Sequence, residues 1–414
     1  MTNTDVIRTE VLTKGALDFS GRIPELDGIR GAAIAIVLVY HYFFLTFEFR
    51  PGSLAAYLQA TGRLGWSGVD LFFVLSGFLI GGILLDARKS SNYFKVFYTR
   101  RFLRIVPIYM LCLAGAFALS SLARSHAPGR FAWMWAAGQL PWTPFLVFLQ
   151  NFWMAYGNRL GLFGLAVTWS LAVEEQFYLT LPLVIRLLSP RHLIGALVAG
   201  ILAAPMLRIA FHALWSERIY FGVVMMPCRA DALLLGVLGA ITLRDARWRA
   251  RLERNRGAMR LALVFFACGF IALTLRSPSP YSIGILTIGF TWLAMFYLCI
   301  LLYGLLFRET WISKCLRWRW LGWLGSIAYA TYLFHQLVQG AFFSLFRSRP
   351  PVILSYQDFL LSVLALAFTL AVCHLSWAYF EKPLVQLGHA LHYEIGRERL
   401  PEAATSVPAE RGCI

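Results

Sequence analysis

Leu26-Asp27-Gly28-Ile29-Arg30-Gly31-Ala32-Ala33-Ile34-Ala35-Ile36-Val37-Leu38-Val39-Tyr40-His41-Tyr42-Phe43-Phe44-Leu45-Thr46-Phe47 decides how the rest of the chain is read. Ten residues, Gly31 to Tyr40, separate Arg30 from His41 and carry no charge and almost no polarity, and the apolar run continues to Phe47. A run of that kind is long enough to cross hydrocarbon as a helix, so His41 is carried into lipid. Eleven α-helical positions make three turns plus about 20°, which puts Arg30 and His41 on one face, roughly 16 Å apart along the axis. An ionisable group at that depth faces protein or a water-filled cavity and is a candidate functional residue. The competing explanation is a histidine that hydrogen-bonds a neighbouring helix as packing glue. From this stretch alone both stay open.

Composition extends the reading to the whole chain. The 414 residues are 59% hydrophobic and 14% charged, with a mean hydropathy of +0.63, far from the mixture of a soluble domain. An all-α polytopic membrane protein is expected. No short apolar core with a small-residue cleavage site precedes the first run, so it is expected to be retained. The seven cysteines are scattered, with no C-x-x-C pair, which leaves disulfide and zinc frameworks without support; no metal is expected.

Ten spans of about 20 apolar residues are expected, at 29–47, 67–85, 104–123, 167–188, 193–211, 229–243, 259–275, 283–307, 323–346 and 357–380. The net charge of +17 collects in the connections after the second, fourth, sixth and eighth spans, a topology pattern rather than a nucleic-acid surface. By the positive-inside rule those loops are cytoplasmic, so both termini are expected in the cytoplasm. The tryptophan-rich segment 131–157, broken by Pro141 and Pro144, then lies outside as a re-entrant or interfacial lid; as a full span it would turn every later basic loop outward. The expected organisation is a cytoplasmic segment 1–25, a transmembrane domain 26–385 and a disordered cytoplasmic tail 386–414. The basic loop 244–260 serves chiefly as the topology signal, a lipid-contacting surface helix being the other reading.

That topology gives depths to the polar residues. His41, Asp70, Glu174 and Glu175 fall in the outer half of the membrane, with Arg229 and Asp231 entering from outside and Thr331, Tyr332 and His335 at mid-depth. A general base and the group that orients it are useful there. Arg100, Arg101 and Arg104 open the third span at the cytoplasmic surface, where a helix N-terminus and arginine forks both favour phosphate. Together these clusters suggest a phosphorylated donor entering from inside and chemistry deeper in the bilayer. Ser76 beside Gly77 reads as a helix contact. His126, His192, His212, His389 and His392 read as solvated, and His374 with Glu381 as a structural pair.

At this point several motifs stand in order: Leu26-Asp27-Gly28-Ile29-Arg30 with His41; Gly68-Val69-Asp70-Leu71-Phe72-Phe73-Val74-Leu75-Ser76-Gly77-Phe78; Arg100-Arg101-Phe102-Leu103-Arg104-Ile105; Trp169-Ser170-Leu171 through Glu175-Gln176-Phe177-Tyr178; Tyr329 with Tyr332-Leu333 and His335; and Phe380-Glu381-Lys382-Pro383. Their joint order over roughly 22–385 resembles the membrane-bound acyltransferase 3 family, which includes O-antigen, exopolysaccharide and macrolide O-acyltransferases. Ala328 departs from the serine common before the tyrosine of that pattern.

The resemblance implies acyl transfer, usually acetyl, from cytoplasmic acetyl-CoA or another acyl-CoA to a hydroxyl of a carbohydrate-type acceptor, in the bacterial cytoplasmic membrane. His41 is then expected as general base or transient acyl carrier, oriented by Asp70 or Glu175. Arg30, Arg100, Arg101 and Arg104 are expected to hold the coenzyme, and Trp169, Tyr178, Arg229, Tyr332 and His335 to face the acceptor. Family members often carry an extracytoplasmic esterase-like domain; the chain ends too soon for one, so it is expected to act alone or with a separate extracytoplasmic partner. The rival class is a transporter or flippase that uses the same buried charges as a substrate pathway.

Overall fold

The opening stretch folds as a helix of changing pitch. Helix α1, Pro24–Val39, starts on a proline whose fixed φ suits the first helical turn. It passes without a break into a π-helical turn at Tyr40–Phe44. His41 therefore sits on a widened turn, and the α-helical spacing assumed between it and Arg30 holds only as far as Val39. The computed structural model describes residues 21–47, 62–135, 140–276 and 279–394.

The longer helices that follow are α2 (Gly68–Asp86), α3 (Tyr93–His126), α4 (Thr168–Leu187), α5 (Pro190–Leu214), α6 (Met226–Arg244), α7 (Ala246–Arg254), α8 (Arg256–Arg276), α9 (Phe290–Leu306), α10 (Arg319–Ser326), α11 (Ala328–Arg347), α12 (Tyr356–Ser376) and α13 (Lys382–His389). Among the described residues the only β pairing is an isolated bridge between Phe47 and Ile353. Among the described residues eight helices, against the ten spans expected, are long and apolar enough to cross a membrane. The spans expected at 167–188 and 323–346 are present as the 20-residue helices α4 and α11, each about 30 Å long. Their length suffices, but Glu174, Glu175, Gln176 and Arg186 on α4, and His335, Gln336 and Gln339 on α11, lower their hydropathy.

The segment expected as a lid is broken into short pieces. Helix Pro128–Phe131 runs into a 3-10 turn at Ala132–Trp135, and helices Thr143–Leu146 and Gln150–Gly157 follow. Residues 136–139 of that stretch, like 1–20 and 395–414 of the expected terminal segments, lie outside the described residues.

Two close backbone approaches set the position of the polar helices. A Cβ on Gly31 would lie 2.0 Å from the Leu321 carbonyl oxygen, so α1 touches α10 backbone to backbone one residue from Arg30. A Cβ on Gly77 would lie 1.9 Å from the Leu233 carbonyl oxygen, which locks α2 against α6. Without lipid-facing hydrophobic drive between helices, contact of this kind is what holds spans together.

The C-terminal end departs from its expected disorder up to residue 394. Helix α13 packs along α3, and the chain after it is stitched to the turn before α3. Asn92 Nδ2 donates to the His392 carbonyl at 3.0 Å, the Glu394 amide donates to Asn92 Oδ1 at 3.0 Å, and Ser91 Oγ donates to Glu394 Oε2 at 2.9 Å.

Gly77→Ala is expected to destabilise the detergent-solubilised protein by about 1–3 kcal/mol through overpacking. Gly115→Ala, at a glycine with nothing within 4 Å of the added methyl, should leave it unchanged. Thermal melts followed by size-exclusion chromatography check the pair; equal melting of both variants refutes the backbone contact.

Candidate active site

A cavity of about 310 Å³ lies among α1, α2, α3, α4, α11 and α13. Arg30, Arg101 and Arg104 bring guanidinium groups to it from α1 and α3, and His389 joins them from α13. Elsewhere its wall carries Ser76, Ser170, Glu174, Tyr178 and Tyr332 among apolar side chains.

The arginines are under-compensated. Arg30 Nη1 donates to Asp27 Oδ1 at 3.0 Å, while Arg101 and Arg104 form no ion pair among the described residues. The Nε of Arg101 is buried without a hydrogen-bond partner. Arg104 and Arg101 are also within electrostatic reach of Arg30. Like charges in an apolar bundle are unfavourable together, so this end of the cavity calls for an anion. Planar guanidinium forks suit phosphate in particular.

Arg100, expected in the same group, turns aside. Its Nη2 donates to the Leu391 carbonyl at 2.5 Å, and its guanidinium lies 5.0 Å from the Tyr393 ring centre. Burial raises the Tyr393 phenol above its ordinary value, so the ring keeps its hydroxyl proton. Nor does a helix N-terminus lie at these arginines. Helix α3 begins at Tyr93, so Arg100 lies about 10 Å inside it and its free amides do not converge on the arginines.

Glu174, rather than Glu175, faces the cavity. It interacts with the Ser76 and Tyr178 hydroxyls and with the charges of Arg101 and Arg104. Ser76 Oγ and Tyr178 OH are 2.5 Å apart, and Ser170 Oγ and Tyr332 OH are 2.7 Å apart, so two hydroxyl pairs line the wall. Adjacent residues cannot share a helical face, and Glu175 accordingly leaves the cavity, with one carboxylate oxygen buried and unpartnered. Ala328 also borders the cavity, where the departure from the motif puts a methyl group.

His41 does not border this cavity; its ring packs edge-on against His335, centre to centre 4.9 Å, and His335 lies 5.9 Å from Tyr332, which does. The widened turn explains the imidazole's pose. A π turn moves each amide's partner from the i−4 to the i−5 carbonyl, and the Val37 carbonyl instead meets His41 Nδ1 at 3.0 Å. A carbonyl only accepts, so Nδ1 carries the hydrogen and Nε2 keeps its lone pair. The same logic applies to His335, whose Nδ1 meets the Tyr332 carbonyl at 2.7 Å and whose Nε2 is buried without a partner. Tyr42 OH donates to the His335 carbonyl at 2.9 Å and Gln339 Nε2 to the His41 carbonyl at 3.2 Å, tying the π turn to α11.

Of the two carboxylates expected to orient His41, Glu175 makes no hydrogen bond to it and Asp70 is engaged elsewhere. Asp70 Oδ1 accepts from Arg229 Nη2 at 2.5 Å, with both side chains almost fully buried. Arg229 also lies 3.6 Å from the Phe290 ring centre and 5.9 Å from that of Trp169. A buried carboxylate takes the nearest full opposite charge, and for Asp70 that is Arg229, not an imidazole. Arg229 and Trp169 thus belong to this packed pair and do not border the cavity. A second pair was not anticipated: Arg208 donates to Asp231 Oδ2 at 2.9 Å and to Thr291 Oγ1 at 2.8 Å. A lone arginine inside an otherwise apolar run was the signal available for it.

Comparison with known proteins meets this geometry. The acyltransferase-domain family profile matches residues 23–378, most of the chain. The chain belongs to the acyltransferase 3 family. Relatives include the putative peptidoglycan O-acetyltransferase YrhL of Bacillus subtilis, 28% identical over 389 residues that cover 87% of this chain and 55% of that protein. The peptidoglycan O-acetyltransferase OatA of Listeria monocytogenes is 25% identical over 393 residues, 90% of this chain and 57% of that one. The O-acetyltransferase OatA of Staphylococcus aureus is 30% identical over 231 residues, 52% of this chain and 34% of its own. The chain spans about half the length of the first two. No solved structure matches it. Within this acyltransferase 3 chain, then, the family's arginine and histidine motifs split into a cavity-lining set and a histidine pair one side chain away.

Paired and unpaired charges should behave oppositely on neutralisation. Asp70→Asn leaves Arg229 buried without its counter-ion and should cost about 3–5 kcal/mol of stability. Arg101→Gln removes a charge that has no direct ion pair, only the through-space attraction of Glu174 and Glu175, and should leave the melting temperature nearly unchanged or raise it. Melts of the purified variants decide this; a large loss with Arg101→Gln contradicts the assignment.

Proposed function

We propose that the chain is a multi-pass membrane O-acetyltransferase, taking an acetyl group from acetyl-CoA on the cytoplasmic side and passing it to a hydroxyl of a carbohydrate acceptor across the bilayer. The observation that carries this reading is the single cavity in which Arg30, Arg101 and Arg104 meet without enough counter-charge, one side chain from a pair of imidazoles. The acceptor class follows the relatives, two of which are named for peptidoglycan. In this reading α4 and α11 complete ten spans, and both termini are cytoplasmic, as the basic loops require.

Arg101 and Arg104 hold the donor's phosphates, and Arg30 lies farther in along α1, where it attracts the anionic donor. His41 acts through Nε2. With Nδ1–H fixed on the Val37 carbonyl, the free lone pair accepts the proton of the acceptor hydroxyl as that oxygen attacks the thioester carbonyl; the C–S bond then breaks, and the imidazolium returns the proton to the departing thiolate, which leaves as free CoA. No carboxylate is needed to choose the tautomer. The alternative in which His41 carries the acyl group before release uses the same nitrogen. The Ser76–Tyr178 and Ser170–Tyr332 hydroxyls supply hydrogen-bond donors along the route.

The test is transfer of labelled acetyl from acetyl-CoA to a peptidoglycan fragment by purified protein in lipid. His41→Ala should lower kcat by about 10²–10⁴-fold. Arg101→Gln should raise KM for acetyl-CoA by about tenfold with a smaller change in kcat. Movement of an unmodified solute across proteoliposomes with no acetyl transferred would favour the transporter reading instead.

A further inference from the structure

The C-terminal clasp ends at the same cavity as the arginines. His389, the last residue of α13, borders it together with Arg30, Arg101 and Arg104, and lies within electrostatic reach of Arg100, Arg104 and Arg101. The imidazole is itself exposed, so it stands at the mouth rather than in the depth of the chamber. Three things hold it there. Gly388 presses on the Arg100 backbone, where an added Cβ would meet the Arg100 Cα at 3.5 Å. Arg100 reaches back to the Leu391 carbonyl and the Tyr393 ring. Asn92 bonds both the His392 carbonyl and the Glu394 amide, closing the strap on the turn that precedes α3.

The strap thus takes Arg100 out of the anion-binding set and puts an imidazole at the opening in its place. Beside these guanidinium groups the imidazole has no carboxylate partner among the described residues, and its N–H is a donor available to an anion that the arginines draw in. We propose that residues 382–394 form the outer wall of the donor site, with His389 contacting the phosphorylated nucleotide end of the donor and Asn92 and Tyr393 positioning it. This rests on the acyl-CoA reading of the cavity. The acyl end lies deeper, beyond Arg104, so the strap governs donor affinity and not the transfer step.

The test compares two donors: acetyl-CoA, and S-acetyl phosphopantetheine, which lacks the nucleotide. His389→Ala should raise KM for acetyl-CoA by about five- to tenfold with kcat nearly unchanged, and leave KM for the truncated donor where it was. His389→Lys should restore most of the affinity. Asn92→Ala, which opens the strap, should reproduce the split while eluting as folded protein on size exclusion. Equal KM for wild type and His389→Ala, or an equal rise with both donors, overturns the proposal. Titration of free CoA into the same proteins separates the two levels. Weaker binding to His389→Ala in a protein that transfers no acetyl keeps the strap and removes the transferase; normal transfer with unchanged CoA binding does the reverse.

Discussion

A guanidinium buried in an apolar bundle must find a partner or be kept for one, and this constraint sorts the inner arginines. Arg229 and Arg208 found theirs, Asp70 and Asp231, and both pairs are sealed among α2, α5, α6 and α9. Stability rests on such pairs staying whole, since removing either partner strands a charge. Arg101 and Arg104 found none among the described residues, and Arg30 has a single contact to an Asp27 that it shares with Arg22. What keeps these three charges together is the backbone itself. The Gly31 contact fixes α1 against α10, and α3 carries its arginines on one rigid helix. In the proposed reading the donor's phosphates offset the cost of that arrangement.

The same constraint explains what could and could not be read beforehand. Eight of the helices follow from apolar length alone, and α4 and α11 were legible because their polar residues recur within otherwise apolar runs. The arginine motif, His41 and the nearness of Tyr332 and His335 were also visible as residues. Their partners were not. Asp70 was placed beside His41 because both belong to the same depth, yet pairing is settled by which helix presses on which, and α6 brings Arg229 to Asp70. Glu174 and Glu175 are indistinguishable in sequence, and only the rotation of α4 about its axis puts Glu174 in the wall. The π turn had no local signal: Tyr40–Phe44 contains neither proline nor glycine.

The C-terminal stretch was misjudged for a related reason. Disorder was expected from Pro401, Pro408 and the small residues of the tail, and that expectation was extended back over 386–394, where Leu387 and Leu391 continue a helical spacing from Leu384. Order there comes from backbone groups meeting Ser91, Asn92 and Arg100, about 300 positions earlier in the chain. Composition cannot report hydrogen bonds of that separation. His389, exposed as expected, consequently also borders the cavity.

The position of His41 has a mechanistic consequence. The arginine chamber stops at Tyr332, and His335 stands between Tyr332 and His41, so the donor and base of the proposed mechanism would occupy neighbouring compartments rather than one. Both imidazoles have Nδ1 committed to their own helix, which leaves two unprotonated Nε2 atoms within one ring contact. Protonating one makes protonation of the other less favourable, because like charges at that separation repel. In the proposed mechanism the two rings would share no more than one proton, with Nε2 of His41 the atom that faces the acceptor's hydrogen. A carboxylate in that place would do the opposite, favouring the imidazolium before the acceptor arrived. The diversion of Asp70 to Arg229 is thus consistent with a base that must begin the reaction neutral.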